Sequence, residues 1–585
     1  MAATTPVQAP PRVDRPGPEP VRRSGAHVPE RSYVVRPAPG AVPVLGHVWR
    51  LWRDPLAFLR SLAGQGDLLE IRIGPKRAYL AADPDVVRDL LQDPRTFDKG
   101  GPLFDTARRL TGNGLVTSRY ADHRGQRRML QPAFHAAQMP GYTDIMIEEF
   151  EAEAASWRSG EVVDVRQRMQ ALTLRIVTRT MFGELASEAT IDGVQECLPV
   201  IMDGVYRRMV TPTRLAERLP TAHNRAYEQA LTHMHEVIDR TIADYHARGR
   251  DEGDLLSLLV NTRDPETGAP LSDQEIHDQV MTMYLGGSET TANAMASAFH
   301  LISEAPDVEA RLHAELDALP PGREALREAV GHLDYASRVT TEALRMRPPV
   351  WLATRTTTRP AELAGRRIEP GTILLYSPYL LHLDPATYEA PDRFDPDRWL
   401  PERTTRRQRT AFLPFGAGNR QCIGNGFSMI EVNVALATVA SRWTLRLAPG
   451  ASLSTTPAAS LGPGPLPMTV QARPRRETAA PATAATAPAP AKAAPASAVP
   501  ATAGPAMDAA GTARTARAGA AMAATGTAGT ATAAAGTTAT ATVAAAKAAP
   551  VPVLAGTGTT AAGSEDVCPF QRTAAPGPDS VEVAR

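Results

Sequence analysis

Cysteine is scarce in this chain. Three occur in 585 residues, Cys197, Cys422 and Cys568, an odd number without paired spacing, so a reducing compartment is expected rather than a disulfide framework. Long apolar runs are missing as well. No stretch reaches the roughly eighteen residues that a membrane span needs, and the chain's start lacks the apolar centre of a secretory leader. The expectation is a soluble, cytoplasmic protein without a membrane anchor. Net charge is absent, with 63 Lys and Arg against 63 Asp and Glu, which argues against nucleic acid as the main partner, since that needs a basic excess. The region beyond Pro474 has no phosphate-cradling Walker loop, no dinucleotide glycine fingerprint and no four-cysteine cluster.

The two ends differ in composition from the middle. Residues 1–32 are rich in Pro and Arg with almost no apolar periodicity, and residues 474–585 are mostly Ala, Thr, Pro and Gly. Neither can bury enough apolar surface to offset the entropy of ordering, so both are expected to be disordered. Residues 33–473 remain, ample for one large core or two fused lobes.

The chemistry concentrates at Phe415-Gly416-Ala417-Gly418-Asn419-Arg420-Gln421-Cys422-Ile423-Gly424. Glycines on both sides of the thiol let the backbone turn tightly and approach a flat ligand closely. Phe415 can cover one side of the sulfur and Arg420 can offer a charged donor. Asn425 to Ala437 reads as a helix whose orphan N–H groups would lower the thiol pKa. No Cys or His lies two to four residues away, so zinc is not expected; a buried structural cysteine is the plain alternative. This pattern resembles the cysteine loop of the haem-thiolate monooxygenases, the cytochrome P450 family. The resemblance implies haem b as cofactor, Cys422 as the axial ligand of its iron, and Phe415 and Arg420 beside it.

Further landmarks follow the order of that family. Ser272-Asp273-Gln274-Glu275 forms a capping box, from which a helical pattern runs to about Ser303. In its middle sit Gly286-Gly287-Ser288-Glu289-Thr290-Thr291. Two glycines inside a helix cost about 1 kcal/mol each relative to Ala, which points to a groove that a diatomic molecule and water can enter, and to a bend there. The segment resembles the family's oxygen-activation motif, which implies Thr290 as hydrogen-bond partner of the activated oxygen and Glu289 as proton relay. Glu-Ala-Leu-Arg occurs twice, at Glu324–Arg327 and at Glu342–Arg345. The second copy is preferred because Arg347-Pro348-Pro349 ends its helix, an apolar strand Val350–Ala353 follows and Arg355 stands just beyond. By the resemblance Glu342 and Arg345 lock the haem-side core together with Arg393 of Pro391-Asp392-Arg393-Phe394. Upstream, His123 and Arg127 are four apart and share a helix face. The resemblance makes them, with Arg355 and Arg420, donors to the haem propionates, where the basic helix alone reads as a solvated face.

The rest of the chain is read more coarsely. Gly66–Ala82 is expected to be a β-hairpin, Asp83–Gln92 a short helix, Gly100–Gly114 a loop, and residues 140–260 a long helical region. Arg124, Arg128, Arg403, Arg406, Arg407 and Arg409 could make a basic patch on the sulfur side, attractive to an acidic electron donor. The expected fold is mainly α with a smaller β-rich lobe, the cytochrome P450 fold. The implied reaction inserts one oxygen atom from O2 into a C–H bond of a lipophilic substrate, with electrons from a ferredoxin and a ferredoxin reductase. Phe97–Phe104, Tyr206–Val210 and Gln274–Val280 look like bacterial members that oxidise cyclic sesquiterpenes. An apolar pocket lined by Leu103, Phe104, Met283, Val350 and Leu352 follows from that likeness. A fatty-acid or other secondary-metabolite hydroxylase, a peroxide-driven hydroxylase, and a haem-binding sensor or electron carrier stand as alternatives, because fold does not settle substrate.

Overall fold

A computed structural model of the chain describes residues 32–210, 219–249, 253–264 and 266–474. The expected disorder of residues 1–32 and 474–585 concerns positions that, apart from residues 32 and 474, lie outside the described residues.

The alternation Leu69, Ile71, Ile73 against Glu70 and Arg72 builds the strand Leu68–Ile73, which pairs antiparallel with Lys76–Ala81 across a turn at Gly74. This hairpin is the middle of a six-stranded sheet. Its order is Val35–Pro37, Leu68–Ile73, Lys76–Ala81, Ile373–Tyr376, Ala353–Thr357 and Phe97–Asp98. Segments far apart in the chain therefore meet at one edge, and Arg355 enters on a strand paired to Phe97–Asp98.

Helices make up most of the remainder. The capping box at Ser272 and Glu275 starts a 31-residue helix, Asp273–Ser303, which at 1.5 Å per residue is about 46 Å long. Its second half, from Ala292 onward, is enclosed by Met139–Ser156, Val165–Phe182, Asp334–Met346 and Asn425–Ala440 in one apolar cluster. Its first half joins a second cluster with Glu188–Val210 and Ala222–Arg248. The helix therefore threads both cores.

Two expectations change. Gly100–Gly114 is not a loop: Pro102–Thr111 is a helix, with Pro102 at its first turn, where proline's missing N–H costs nothing. Its glycines stand at the ends, Gly101 at φ +88° and Gly112 at φ +52°, and a Cβ on Gly112 would lie 2.3 Å from the Asp278 carboxylate. The strand expected at Val350–Ala353 begins only at Ala353 and runs to Thr357, leaving Val350 exposed. The long helix is continuous through Gly286 and Gly287.

Candidate active site

The cysteine loop is folded back on itself. The Cys422 N–H donates to the Phe415 carbonyl at 2.9 Å, and Gly416 and Gly418 take positive φ of +67° and +66°. A Cβ on Gly418 would sit 2.6 Å from the Leu91 carbonyl oxygen, so only glycine fits that approach. Phe415 packs against the core that holds Asn425–Ala440. Cys422 keeps accessible surface, yet protein crowds its sulfur. Burial pushes the thiol up, opposed by the Gly424 amide and the charges of Arg127 and Lys99. The lowered thiol pKa expected from the following helix start is thus overturned for the metal-free thiol, because desolvation outweighs the helix terminus.

Beside the loop, cations converge. Arg420 is buried and donates to Asp98 Oδ1 at 2.7 Å and to the Ser118 carbonyl at 3.0 Å. Arg355, buried on its strand, donates to the Thr354 carbonyl at 2.7 Å and lies over the rings of Tyr376 and Phe104, at 5.4 and 5.9 Å from their centroids. Arg127 donates to the Gln421 carbonyl. Lys99 donates to the Val116 carbonyl at 2.8 Å, and burial together with Arg355 and Arg420 holds its ammonium well below the usual lysine range. Burial, then the charges of Arg420, Lys99, Arg127 and Arg355, pushes His123 down to about 3. The imidazole is therefore neutral at ordinary pH and can offer one N–H as a donor. Burial lowers Arg420 to about 10 in spite of Asp98. Several cations answered chiefly by one carboxylate form a donor set for a dianion, and the two propionates of haem fit it. Lys99 went unrecognised in the sequence because it lies in Phe97–Phe104, a stretch read for its likeness alone.

On the long helix the two candidate groups diverge. Thr290 is half-buried and donates to the Gly286 carbonyl at 2.6 Å. Gly286 faces open space, with Val116 Cγ2 the nearest atom to a hypothetical Cβ at 3.9 Å, whereas Gly287 faces Val177 at 3.4 Å. The first glycine faces the open groove, whereas a methyl on the second would make an ordinary contact with the helix Val165–Phe182. Glu289 points elsewhere. It is buried, one carboxylate oxygen has no hydrogen-bond partner, and burial raises its pKa against a hydrogen bond from Ser460 and the charge of Arg166. Asn293 Nδ2 donates to the same Ser460 at 2.6 Å. Next along the helix, Thr291 shares a 3.1 Å hydrogen bond with Ser428 of Asn425–Ala440, which brings the Thr290 turn to the helix that follows the cysteine.

The second Glu-Ala-Leu-Arg copy is fully buried. Arg345 holds Glu342 by two 2.8 Å bonds, and Trp399 and the Asp395 amide also donate to Glu342. The third side chain is Arg398, 3.3 Å from Glu342 and buried. Arg393 is corrected here: its side chain is exposed and only its carbonyl accepts from Arg345. Arg345 also donates to the His382 carbonyl at 2.9 Å, and His382 Nε2 accepts from the Leu413 amide at 2.8 Å. The buried pair is thereby tied to the cysteine loop two residues before Phe415.

Of the expected pocket residues, Phe104, Met283 and Leu352 are half-buried and Val350 is 41% exposed; the Leu103 side chain lies outside the described residues. The basic patch is partly spent. Arg128 pairs with Glu266, Arg403 with Asp395 and Arg407 with Asp83. A cleft of about 340 Å³ opens among Tyr120, His123, Arg124, Arg127, Arg128 and Arg420.

A mainly helical fold with a cysteine loop, a cationic cradle and a glycine-opened groove defines a haem-thiolate protein. The sequence profile of cytochrome P450 matches residues 37–470, and this chain belongs to that family. It is 46% identical over 445 residues to cyclooctat-9-en-7-ol 5-monooxygenase of Streptomyces melanosporofaciens, covering 76% of this chain and 97% of that one. To cyclooctatin synthase of the same organism it is 47% identical, covering 74% and 95%. To pentalenene oxygenase of Streptomyces avermitilis it is 42% identical, covering 72% and 94%. The crystal structure of the cytochrome P450DA heme domain superposes with a TM-score of 0.69 at 31% identity, over 76% of this chain and 99% of that one. The protein is a monooxygenase whose cofactor is haem with thiolate ligation.

Proposed function

We propose that this monooxygenase oxidises a cyclic terpenoid. The identity of 42–47% to three relatives named for cyclooctatin and pentalenene chemistry, along 94–97% of their lengths, carries the reading. One of those names is that of an alcohol, so the substrate class extends from the sesquiterpene hydrocarbons first expected to hydroxylated terpenes. Leu103, Phe104, Met283, Val350 and Leu352 are the proposed apolar lining.

When bound, haem supplies the redox chemistry of O2. The chain's part is to hold, orient and move protons. Cys422 would hold the haem iron through its thiolate, on the loop closed by its N–H bond to the Phe415 carbonyl. Arg127, Arg355, Lys99 and neutral His123 hold the propionates, and Arg420, already committed to Asp98, fixes the wall they stand on. The hydroxyl of Thr290 can turn from the Gly286 carbonyl toward a guest in the groove. Glu289, whose pKa burial raises, would hold a proton beside Ser460 and Arg166. Glu342, Arg345 and Arg398 keep the loop in place. Electrons come from a ferredoxin and its reductase, received on the face where exposed Arg124 and Arg406 stand; a cytoplasmic location accords with three cysteines that lack the spacing of a disulfide framework.

Titrating the holoprotein with cyclic terpenes, terpenols and fatty acids, and reading the spin-state shift as iron-bound water is displaced, tests the proposal. Terpenoids should saturate the shift and fatty acids should not. A response to fatty acids alone overturns the substrate class. Retention by Cys422→Ser of the red-shifted Soret band of the reduced carbon monoxide complex overturns the ligand.

A further inference from the structure

Residues 33–53 contain three arginines, Arg36, Arg50 and Arg53, and no acidic side chain. Several of their apolar residues face water: Val44 is 88% exposed, Trp52 61%, Leu45 52%, Trp49 48% and Val42 42%. The display is built rather than frayed. Val42 and Gly46 exchange backbone hydrogen bonds of 2.9 and 2.8 Å, so residues 43–45 form a projecting turn. A Cβ on Gly46 would lie 2.4 Å from the Arg72 carbonyl oxygen, which pins the turn to the sheet. Val44 sits at φ +66°, where a β-branched residue is a genuine outlier. Backbone strain is accepted here to hold an apolar side chain in solvent.

The adjacent helix Val48–Arg53 turns Leu51 inward against the sheet-side core. Its two indoles, with centroids 5.3 Å apart, remain outside. The other four tryptophans all bond their Nε1: Trp157 to Glu153, Trp351 to the Ala458 carbonyl, Trp399 to Glu342 and Trp443 to the Ala154 carbonyl. Trp49 and Trp52 have no such partner among the described residues. An apolar ring with a free N–H suits the boundary between lipid tails and headgroups.

We propose that this turn and helix dock the protein peripherally on an anionic bilayer surface. Val42, Val44, Leu45 and the two indoles enter the headgroup region, while Arg36, Arg50 and Arg53 meet lipid phosphates. Charge selects this occupant. A second copy would set the same predominantly basic patch, three arginines against the adjoining Asp54, against itself, and a purely apolar partner would leave the guanidinium groups unanswered. No helix among the described residues is long and apolar enough to cross a membrane, so the attachment is superficial. The reading stands on this surface alone and is independent of the substrate.

Full-length holoprotein mixed with sedimentable vesicles tests it, phosphatidylglycerol–phosphatidylcholine against phosphatidylcholine alone. The protein should sediment with the anionic vesicles, with a blue shift of indole emission, and be released by salt. Trp49→Ser with Trp52→Ser should lower partitioning by about tenfold or more, and Arg50→Gln and Arg53→Gln by about fivefold each. All variants should keep the parent melting temperature and carbon monoxide spectrum, because these side chains are exposed. The proposal is overturned by absence of sedimentation with anionic vesicles, or by sedimentation indifferent to the paired Trp substitution. A concentration-dependent dimer that this substitution abolishes also overturns it, by assigning the face to a second copy.

Discussion

Glu431 is a carboxyl group without an answer. It is fully buried in the helix Asn425–Ala440, neither oxygen has a hydrogen-bond partner, and burial raises its pKa well above the carboxylate range. It is held as the neutral acid. The unfolded chain releases that proton at its ordinary pKa, roughly 4.3, and the folded chain keeps it. Above that pH the folded state binds more protons, so stability falls as pH rises, by about 1.4 kcal/mol per unit until the folded pKa is reached. Glu431→Gln keeps the shape and removes the titration. Its melting temperature should exceed the parent's at pH 8, and the gap should narrow toward pH 5; a gap that ignores pH would count against this reading. Single residues also show where sequence reading stops. Cys422 and the Glu289-Thr290 pair could be proposed from the sequence because the chemistry proposed for them demands those residue types in that local order. Arg398, Lys99 and His382 were not, since each matters through burial against partners distant in the chain: Glu342, Val116 and Leu413.

At the scale of elements, the long helix was legible in full, from capping box to end, because period and caps are local signals. The helix Pro102–Thr111 was not, because glycines that bound a helix look like glycines that break one. The pair Gly286-Gly287 mixed two causes that only packing separates. A methyl at Gly286 would enter open space beside Thr290, while one at Gly287 would touch Val177 at 3.4 Å. Either alanine should gain about 1 kcal/mol of helix propensity. Gly286→Ala should therefore raise the melting temperature by a few degrees yet weaken the terpenoid-induced spin shift severalfold. Gly287→Ala should leave that shift near the parent's. Equal effects of both on the shift would place the groove elsewhere on the helix.

The chain is longer than the three terpene-oxidase relatives. They are matched along 94–97% of their own lengths by 72–76% of this chain, and the family profile ends at residue 470. The last described segment shows why a fold can close there. The strand Pro467–Ala472 lies between Trp443–Leu447 and Val162–Asp164, with Met468 and Val470 fully buried. Just beyond it, Arg473 holds Asp317 at 2.9 Å and donates to the Ala440 and Ser441 carbonyls at 3.0 and 3.1 Å. A chain ending after residue 474 keeps every one of these contacts, whereas one ending after Leu466 unpairs two strands and opens the core under them. The first truncation should retain the parent's melting temperature, haem content and terpenoid response. The second should lose buried apolar area worth several kcal/mol, out of a total stability of about 5–15 kcal/mol, and fail to hold haem. If removal of residues 475–585 alone abolished haem retention, the long Ala- and Thr-rich extension would have to be counted as part of the folded unit, and the boundary drawn from composition would be wrong.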